Sequence, residues 1–195
     1  MFEFLFKGGK TMVPLFICSF VALTIIIERF FSLQKKKIVP PLLGRAIAEK
    51  KGVADIYTES EKTPSALSRI IHNVYEVRKQ GATIVQRVLQ TSFKKEVVAL
   101  ERGLGGLEVI ATITPLLGLL VTVLGMVDVF NVVAKIGVGQ ASAFASGIAK
   151  AMVTTIVGLS IAIPTLVFHT YFTKRAEAYG LLLEENSQVF VDRLN

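Results

Sequence analysis

The feature that most constrains this chain is the stretch from Gly147 to Thr165, which reads GIAKAMVTTIVGLSIAIPT. It is apolar and close to the roughly 20 residues that a helix needs to cross a bilayer. Small residues recur in it at steps of three and four, which places them on one face of a helix: Gly147, Ala151, Thr155, Gly158, Ala162 and Thr165. In lipid, such a face lets a second backbone come close. The stretch therefore predicts a transmembrane helix with a contact surface for another helix.

Hydroxyl groups are the only polar side chains between Lys150 and Pro164, and they belong to Thr154, Thr155 and Ser160. One interpretation is that each hydroxyl bonds to its own helix backbone and only packs. The other is that they line a pathway, since polar groups inside a membrane are often functional. The stretch by itself leaves both interpretations open.

The composition favours a membrane protein over a soluble domain. Hydrophobic residues make up 52% of the chain, and the mean hydropathy is +0.57. The net charge is +7, but the basic residues lie mostly beside the apolar segments, which indicates orientation in a membrane and predicts no nucleic-acid partner. The single cysteine, Cys18, excludes an intrachain disulfide and a cysteine-rich metal site.

The first apolar segment predicts the orientation of the chain. Residues 1–10 form a short N-terminal segment, and residues 11–32 are predicted to be the first transmembrane helix. No small-residue cleavage site follows, so a removed signal peptide is not favoured. Three lysines come directly after the apolar core, at residues 35–37. The positive-inside bias then places the N-terminus outside and the lysines in the cytoplasm.

Residues 33–106 are predicted to be a cytoplasmic helical region. Thr63 can cap a helix with Pro64 at its first position, because Leu67, Ile70, Ile71 and Val74 follow at amphipathic spacing. A second apolar pattern runs from Val85 to Leu107 without a strong breaker. It predicts that the helix of the second span extends well into the cytoplasm.

The second and third spans are predicted at residues 107–133 and 143–172. A short periplasmic connection, residues 134–142, makes them antiparallel neighbours, and residues 173–195 form a cytoplasmic C-terminal helix. Pro115 can bend the second span. That span carries its own stripe of small or hydroxyl residues: Ala111, Thr114, Gly118, Thr122 and Gly125. The fold class is an all-α membrane protein with long cytoplasmic extensions.

Catalytic signatures are missing from the sequence. It contains no HExxH, GxSxG or Walker A motif and no Cys/His ligand cluster, so we predict no enzyme activity, metal or cofactor. His72 and His169 are far apart in sequence, and we interpret both as surface or interface residues.

Two charged residues are predicted to form the outer rim of the spans. Asp128 lies about one turn from the outer end of the second span, and Lys150 lies at the outer start of the third, so an ion pair can join them. No carboxylate lies at mid-membrane depth. If protons cross here, a partner must supply the titratable group, with this chain supplying the hydroxyl-lined wall.

Two motifs carry a family likeness. The run TPLLGLLVTVLGM (Thr114 to Met126), followed by GIAKAMVTTIVGLSIAIP (Gly147 to Pro164), resembles the paired signature of the MotA/TolQ/ExbB proton channel family. It is most similar to the ExbB/TolQ branch, and Glu28-Arg29 and the Glu101 to Leu104 run agree with it. Both motifs stand in the expected order on the expected spans.

The resemblance implies an assembly and a pathway. The chain is expected to form a homo-pentameric ring in the bacterial inner membrane, with its second and third helices around a pore that holds a dimeric ExbD/TolR-like single-span partner. That partner contributes the proton-carrying aspartate, and a TonB-like or Pal/TolA-like envelope protein receives the work.

Residue by residue, the family's pore threonines fall on Thr122 and Thr155, and Thr154 is placed in the same ion pathway. Pro115 and Pro164 match the family's helix prolines. The predicted pore-lining or helix-packing set is Thr114, Gly118, Gly125, Gly147, Ala151, Gly158 and Ala162. One departure is Lys150, where the motif commonly has a glutamate.

A second hypothesis is a non-conducting oligomeric scaffold whose small-residue stripes serve packing alone. A secondary transporter is disfavoured, since three spans show no inverted repeat. The sequence does not decide between ExbB and TolQ, between H⁺ and Na⁺, or among the outer-membrane processes served.

Overall fold

The computed structural model describes residues 12–49, 52–136 and 141–194; within these ranges the side chains at 132, 133, 135, 136, 141–144, 146 and 150 are not described. Every element in the described ranges is helical, in the order α1 (Val13–Ser32), α2 (Lys35–Ile38), α3 (Pro41–Ala48), α4 (Val53–Lys62), α5 (Ala66–Glu76), α6 (Ala82–Glu101), α7 (Leu104–Ile136) and α8 (Ala141–Asp192). The predicted N-terminal segment, residues 1–10, lies outside these ranges.

Three stretches are long and apolar enough to cross a membrane, and they fall within Val13–Ser32, Ala82–Asn131 and Gly147–Asp192. The prediction of an all-helical membrane fold with three spanning helices is therefore confirmed for the described residues.

The chain divides into two compact units. The first, here called the span unit, consists of Met1–Ile27, described from Met12 onward, and Gly103–Thr170. The second, here called the polar unit, consists of Glu28–Arg102 and Tyr171–Asn195.

The span unit is apolar on its outside as well as inside. Large side chains such as Phe20, Phe130 and Ile163 are exposed by 74%, 66% and 63%. A protein in water does not display so much contiguous apolar surface without a partner or a membrane. The surface is therefore suited to lipid and to other transmembrane helices.

The polar unit has a conventional core. Helix α3 packs on α4, α4 on α5 and α5 on α6, and the apolar face of each helix points inward. The fully buried side chains include Leu43, Ile56, Leu67, Ile71, Leu183 and Phe190. The amphipathic spacing seen around Leu67 thus produces a helix buried on one side.

The predicted start of α5 is wrong by two residues. Ser65, not Thr63, is the N-cap, and α5 begins at Ala66. The Ser65 hydroxyl accepts a hydrogen bond from the Ser68 backbone N–H at 3.0 Å, and the Ser68 hydroxyl donates to the Thr63 carbonyl at 2.6 Å. Serine is the stronger N-cap, and here its hydroxyl satisfies one of the free N–H groups of the first turn.

The apolar pattern that runs from Val85 into the second span is divided between two helices. Helix α6 ends at Glu101 and α7 begins at Leu104. Gly103 lies between them with φ at +78°, a left-handed conformation that L side chains rarely adopt. Glycine at this point allows the chain to end one helix and start another within two residues.

Helix α8 includes two of the predicted segments. It runs from Ala141 to Asp192 without a break, through the predicted boundary between the third span at 143–172 and the C-terminal helix at 173–195. Pro164 lies inside it, just as Pro115 lies inside α7. Of the predicted connection at 134–142, residues 137–140 lie outside the described ranges.

Candidate functional site

Helices α7 and α8 approach each other at their glycines. A Cβ atom added to Gly118 would lie 2.9 Å from the Thr155 Cα, and one added to Gly158 would lie 2.6 Å from the Thr114 carbonyl oxygen. Both distances are shorter than a carbon atom tolerates, so any larger residue would push the helices apart. The small-residue stripes therefore face each other, and two further approaches join Gly125 to Ala151 and Gly147 to Val129.

Two threonine hydroxyls meet in this contact. The Oγ1 atoms of Thr122 and Thr155 are 2.5 Å apart, and either can be the donor. The Thr155 hydroxyl also donates to the Gly118 carbonyl at 2.9 Å, across the helix pair. The Thr122 hydroxyl lies 3.1 Å from the Gly118 carbonyl and 3.3 Å from the Ala151 carbonyl. Two hydroxyl groups and two carbonyl oxygens thus form one polar cluster.

This cluster is accessible. Both threonines are half-buried, while Gly118 beside them is buried. A hydroxyl has one proton and two acceptor lone pairs. Because the two hydroxyls share more acceptors than they have protons, the cluster can accept a hydrogen bond from a neutral acid. It can donate one to a carboxylate or a water molecule when a hydroxyl gives up a bond within the cluster.

The other hydroxyls of the spans behave differently. Thr114 is fully buried and donates to the Ile110 carbonyl of its own helix at 2.8 Å, and Ser160 donates to the Ile156 carbonyl at 2.8 Å. Thr154 is fully buried too, and its Oγ1 has no hydrogen-bond partner. The hydroxyls of Thr114 and Ser160 thus donate to carbonyls of their own helices, whereas the Thr155 hydroxyl donates to a carbonyl of α7.

The remaining predicted residues are spread along the two helices. Ala151 and Ala162 are buried on the contact face of α8. Asp128 is exposed on α7, and the side chain of Lys150 is not described, so the predicted Asp128–Lys150 pair lies outside what the structure describes.

Sequence reasoning missed the carbonyl oxygens of Gly118 and Ala151. Each of these residues lies four positions before a threonine of the cluster, Thr122 and Thr155. That spacing is the signal, because a threonine hydroxyl in a helix lies near the carbonyl four residues earlier. A small residue at that position also leaves room for the hydroxyl of the neighbouring helix.

A second buried polar group, Arg29, was also missed. Its side chain is 2% exposed, and its guanidinium donates to the Ala99 and Leu100 carbonyls, both at 3.2 Å, and to the Glu28 carboxylate at 2.6 Å. Ala99 and Leu100 belong to the last turn of α6, whose carbonyls have no partner within the helix. Arg29 therefore caps the C-terminus of α6.

The environment of His72 matches a surface role. His72 stacks on Tyr57 with ring centroids 5.5 Å apart and lies 3.3 Å from the Glu76 carboxylate. Partial burial and the nearby Glu61 carboxylate raise the pKa of the Tyr57 hydroxyl above its usual value. Among the described residues no group of three or more His, Cys, Asp or Glu side chains could hold a metal ion.

The part of the sequence that forms this site matches a known protein family. A sequence model of the MotA/TolQ/ExbB proton channel family matches residues 58–185. This range includes both threonines of the cluster and all the glycines that join α7 to α8.

Individual relatives agree with that match. The ExbB-like 1 protein of Synechocystis sp., named for biopolymer transport, is 34% identical over 174 residues, which are 85% of this chain and 67% of that protein. The biopolymer transport protein exbB1 of Vibrio cholerae is 30% identical over 172 residues, 81% of this chain and 72% of that protein. The Tol-Pal system protein TolQ of Pseudomonas aeruginosa is 31% identical over 93 residues, 48% of this chain and 40% of that protein.

Proposed function

Because the chain belongs to the ExbB/TolQ branch of the MotA/TolQ/ExbB proton channel family, we propose that it is the channel subunit of a complex in the bacterial inner membrane. In this proposal the complex uses the proton motive force to energise outer-membrane transport or envelope maintenance. The observation that carries the proposal is the polar cluster of Thr122 and Thr155 between two otherwise apolar helices.

The cluster acts on a carboxylate that another chain supplies. An aspartate on the partner's helix is neutral while it carries a proton through the apolar part of the pore. An ionised carboxylate there is costly unless hydrogen bonds stabilise it. The Thr122 and Thr155 hydroxyls can donate such bonds, and they can accept a bond from the neutral acid. Ionisation is thereby confined to the depth of the cluster, which couples proton passage to the position of the partner helix.

The assembly in this proposal is a homo-pentamer around a dimeric ExbD/TolR-like partner. Exposed apolar side chains on both helices, such as Leu119 and Val123 on α7 and Met152 and Ile156 on α8, support contacts of this kind. A TonB-like or Pal/TolA-like envelope protein receives the work. The basic residues after α1 support a periplasmic N-terminus and a cytoplasmic C-terminus.

The test is proton flux into liposomes that contain the chain and an ExbD/TolR-like single-span protein. Thr155→Val keeps the shape of the side chain and removes the hydroxyl, so we expect flux to fall at least about 10-fold with the complex intact. That factor equals ~1.4 kcal/mol, about one hydrogen bond to a charged group. Thr155→Ser keeps the hydroxyl and should keep most of the flux.

Thr170→Val is the matched control. Thr170 is an exposed threonine of the same helix that donates only to its own Leu166 carbonyl at 2.9 Å. Its loss should leave the flux unchanged. If Thr155→Val conducts as the parent does while the complex keeps its mass, the scaffold hypothesis explains the small-residue stripes and the channel proposal is wrong.

A further inference from the structure

The segment from Phe30 to Arg45, here called the rim segment, follows the apolar part of α1 and has an unusual surface. Phe30 and Phe31 are each 59% exposed, and their rings form an edge-to-face pair with centroids 6.2 Å apart. Further along, Leu42 on α3 is 61% exposed. These apolar side chains do not contribute to the core of the polar unit.

Exposed cations accompany the apolar side chains. Lys35, Lys36 and Lys37 lie on α2, which is separated from the end of α1 by two residues. Arg45 lies on α3, and all four side chains are exposed. The rim segment contains no aspartate or glutamate. Lys35 and Lys36 form no salt bridge with any residue in the described ranges, so their charges are not neutralised there.

A hydrogen bond from Lys37 to the last turn of α1 fixes the position of the three lysines. The Lys37 ammonium donates to the Phe31 carbonyl at 2.9 Å, which satisfies an unpaired carbonyl in the last turn of α1. This bond holds the lysine run within one turn of the end of a membrane-spanning helix. Lysines near the end of a membrane-spanning helix reach the headgroup level, and phenylalanine rings beside them favour the acyl-chain side of the interface.

We propose that the rim segment binds the headgroup of an anionic phospholipid, with Lys35 and Lys36 at the phosphate and Phe30 and Phe31 against the acyl chains. Charge complementarity selects an anionic lipid. The four cations of the rim segment attract a phosphate group, and the segment has no carboxylate that would repel it. The exposed phenylalanines select a lipid over free phosphate, since a soluble anion offers them no apolar contact. The inference rests on α1 crossing the membrane and does not depend on proton conduction.

The experiment is a lipid titration of the purified full chain in detergent, followed by native mass spectrometry. Phosphatidylglycerol and phosphatidylcholine with the same acyl chains are compared. We expect phosphatidylglycerol to bind more tightly. Lys35→Gln and Lys36→Gln should each weaken phosphatidylglycerol binding about 5-fold, and the double variant should weaken it about 25-fold. A factor of about 5 corresponds to the ~1 kcal/mol that each lysine contributes at a membrane surface. Phosphatidylcholine binding should not change.

The charge-matched control is Lys79→Gln with Lys94→Gln, which removes two exposed lysines outside the rim segment. It should bind phosphatidylglycerol as the parent does. An equal loss in this control would mean that net charge, not the rim segment, sets the affinity. Displacement of the lipid by millimolar inorganic phosphate would identify a free-anion site and overturn the proposal.

A third outcome concerns a second copy of the chain. If Lys35→Gln with Lys36→Gln alters the oligomer mass and leaves lipid affinity unchanged, the rim segment contacts protein and the proposal is wrong. Circular dichroism of each variant shows first that its helices are intact. The charge-conserving variant Lys35→Arg with Lys36→Arg should keep the lipid preference.

Discussion

At the scale of single residues, Thr122 and Thr155 differ from the other threonines of the spans in where their hydrogen bonds go. Thr114 bonds within its own helix, whereas the Thr155 hydroxyl reaches the Gly118 carbonyl of the facing helix. A buried hydroxyl such as that of Thr114 is out of reach of a side chain from another polypeptide. The pair at 2.5 Å is instead half-exposed and has spare acceptor capacity.

Thr154 leads to a prediction about stability and flux together. Its Oγ1 is buried without a partner, an arrangement that costs about 1–3 kcal/mol. Thr154→Val should therefore raise the free energy of unfolding by ~1 kcal/mol, measured as a higher Tm in detergent. If Thr154 belongs to the ion pathway, as we propose, proton flux should fall in the same variant. A lower Tm would mean that the hydroxyl has a partner in the assembled protein.

Which hydroxyl bonds to what could not be predicted from the sequence. The spacing places Thr122 and Thr155 on the small-residue faces, and both are where α7 and α8 meet. Thr154 and Thr155 are adjacent in the chain, yet one is bonded and the other is not. Which of the two hydroxyls is bonded depends on how α8 is rotated about its axis relative to α7. A periodic pattern determines that rotation only to within about one residue.

At the scale of elements, the α7–α8 contact depends on Gly158. Gly158→Ala places a methyl group against the Thr114 carbonyl, a backbone atom that cannot move alone. The helices must separate, which would also stretch the Thr155 to Gly118 hydrogen bond. We expect the free energy of unfolding to fall by about 1–3 kcal/mol, the usual cost of overpacking, which is measured as a lower Tm.

Gly105→Ala is the control for this substitution. Gly105 also lies in α7, and nothing lies within 4 Å of a Cβ added there. Alanine should leave the Tm unchanged or raise it, because it restricts the unfolded chain. An equal decrease in Tm in both variants would show that glycine is needed within each helix and not at the contact between α7 and α8.

Arg29 gives a prediction about the end of α6. Arg29→Met removes the donors for the Ala99 and Leu100 carbonyls and leaves buried acceptors unpaired. We expect the free energy of unfolding to fall by at least ~2 kcal/mol, since a single hydrogen bond from a charged donor contributes about that much. Arg87→Met, at an exposed arginine of the same helix, should change the Tm little. Equal Tm values for the two variants would contradict the capping role.

The helix boundaries show the limit of pattern reading at this scale. The apolar spacing from Val85 to Leu107 is continuous, and the chain still breaks at Gly103. Glycine is compatible with both a helix and a left-handed turn, so the sequence leaves the choice open. The cap from Arg29 to the last carbonyls of α6 stabilises the turn, and that contact joins residues far apart in the chain.

At the scale of the whole molecule, the span unit keeps a large apolar surface outside its own helix contacts. The proposed assembly covers part of it with neighbouring copies. Native mass spectrometry of the chain purified alone should give a mass of five subunits, and co-expression with the single-span partner should add two partner chains. A monomer or dimer under both conditions would contradict the proposed ring.

The sequence by itself determined the all-α membrane class, the three spanning segments and the small-residue faces, because these depend on local composition and period. The family followed from the resemblance of its two motifs, which the family match confirmed. The tertiary structure alone decided the break at Gly103, the buried cap at Arg29, and the pairing of Thr122 with Thr155 against the Gly118 carbonyl. The physical reason is that hydrogen bonds depend on fractions of an ångström between distant segments, whereas periodicity gives only the face of a helix.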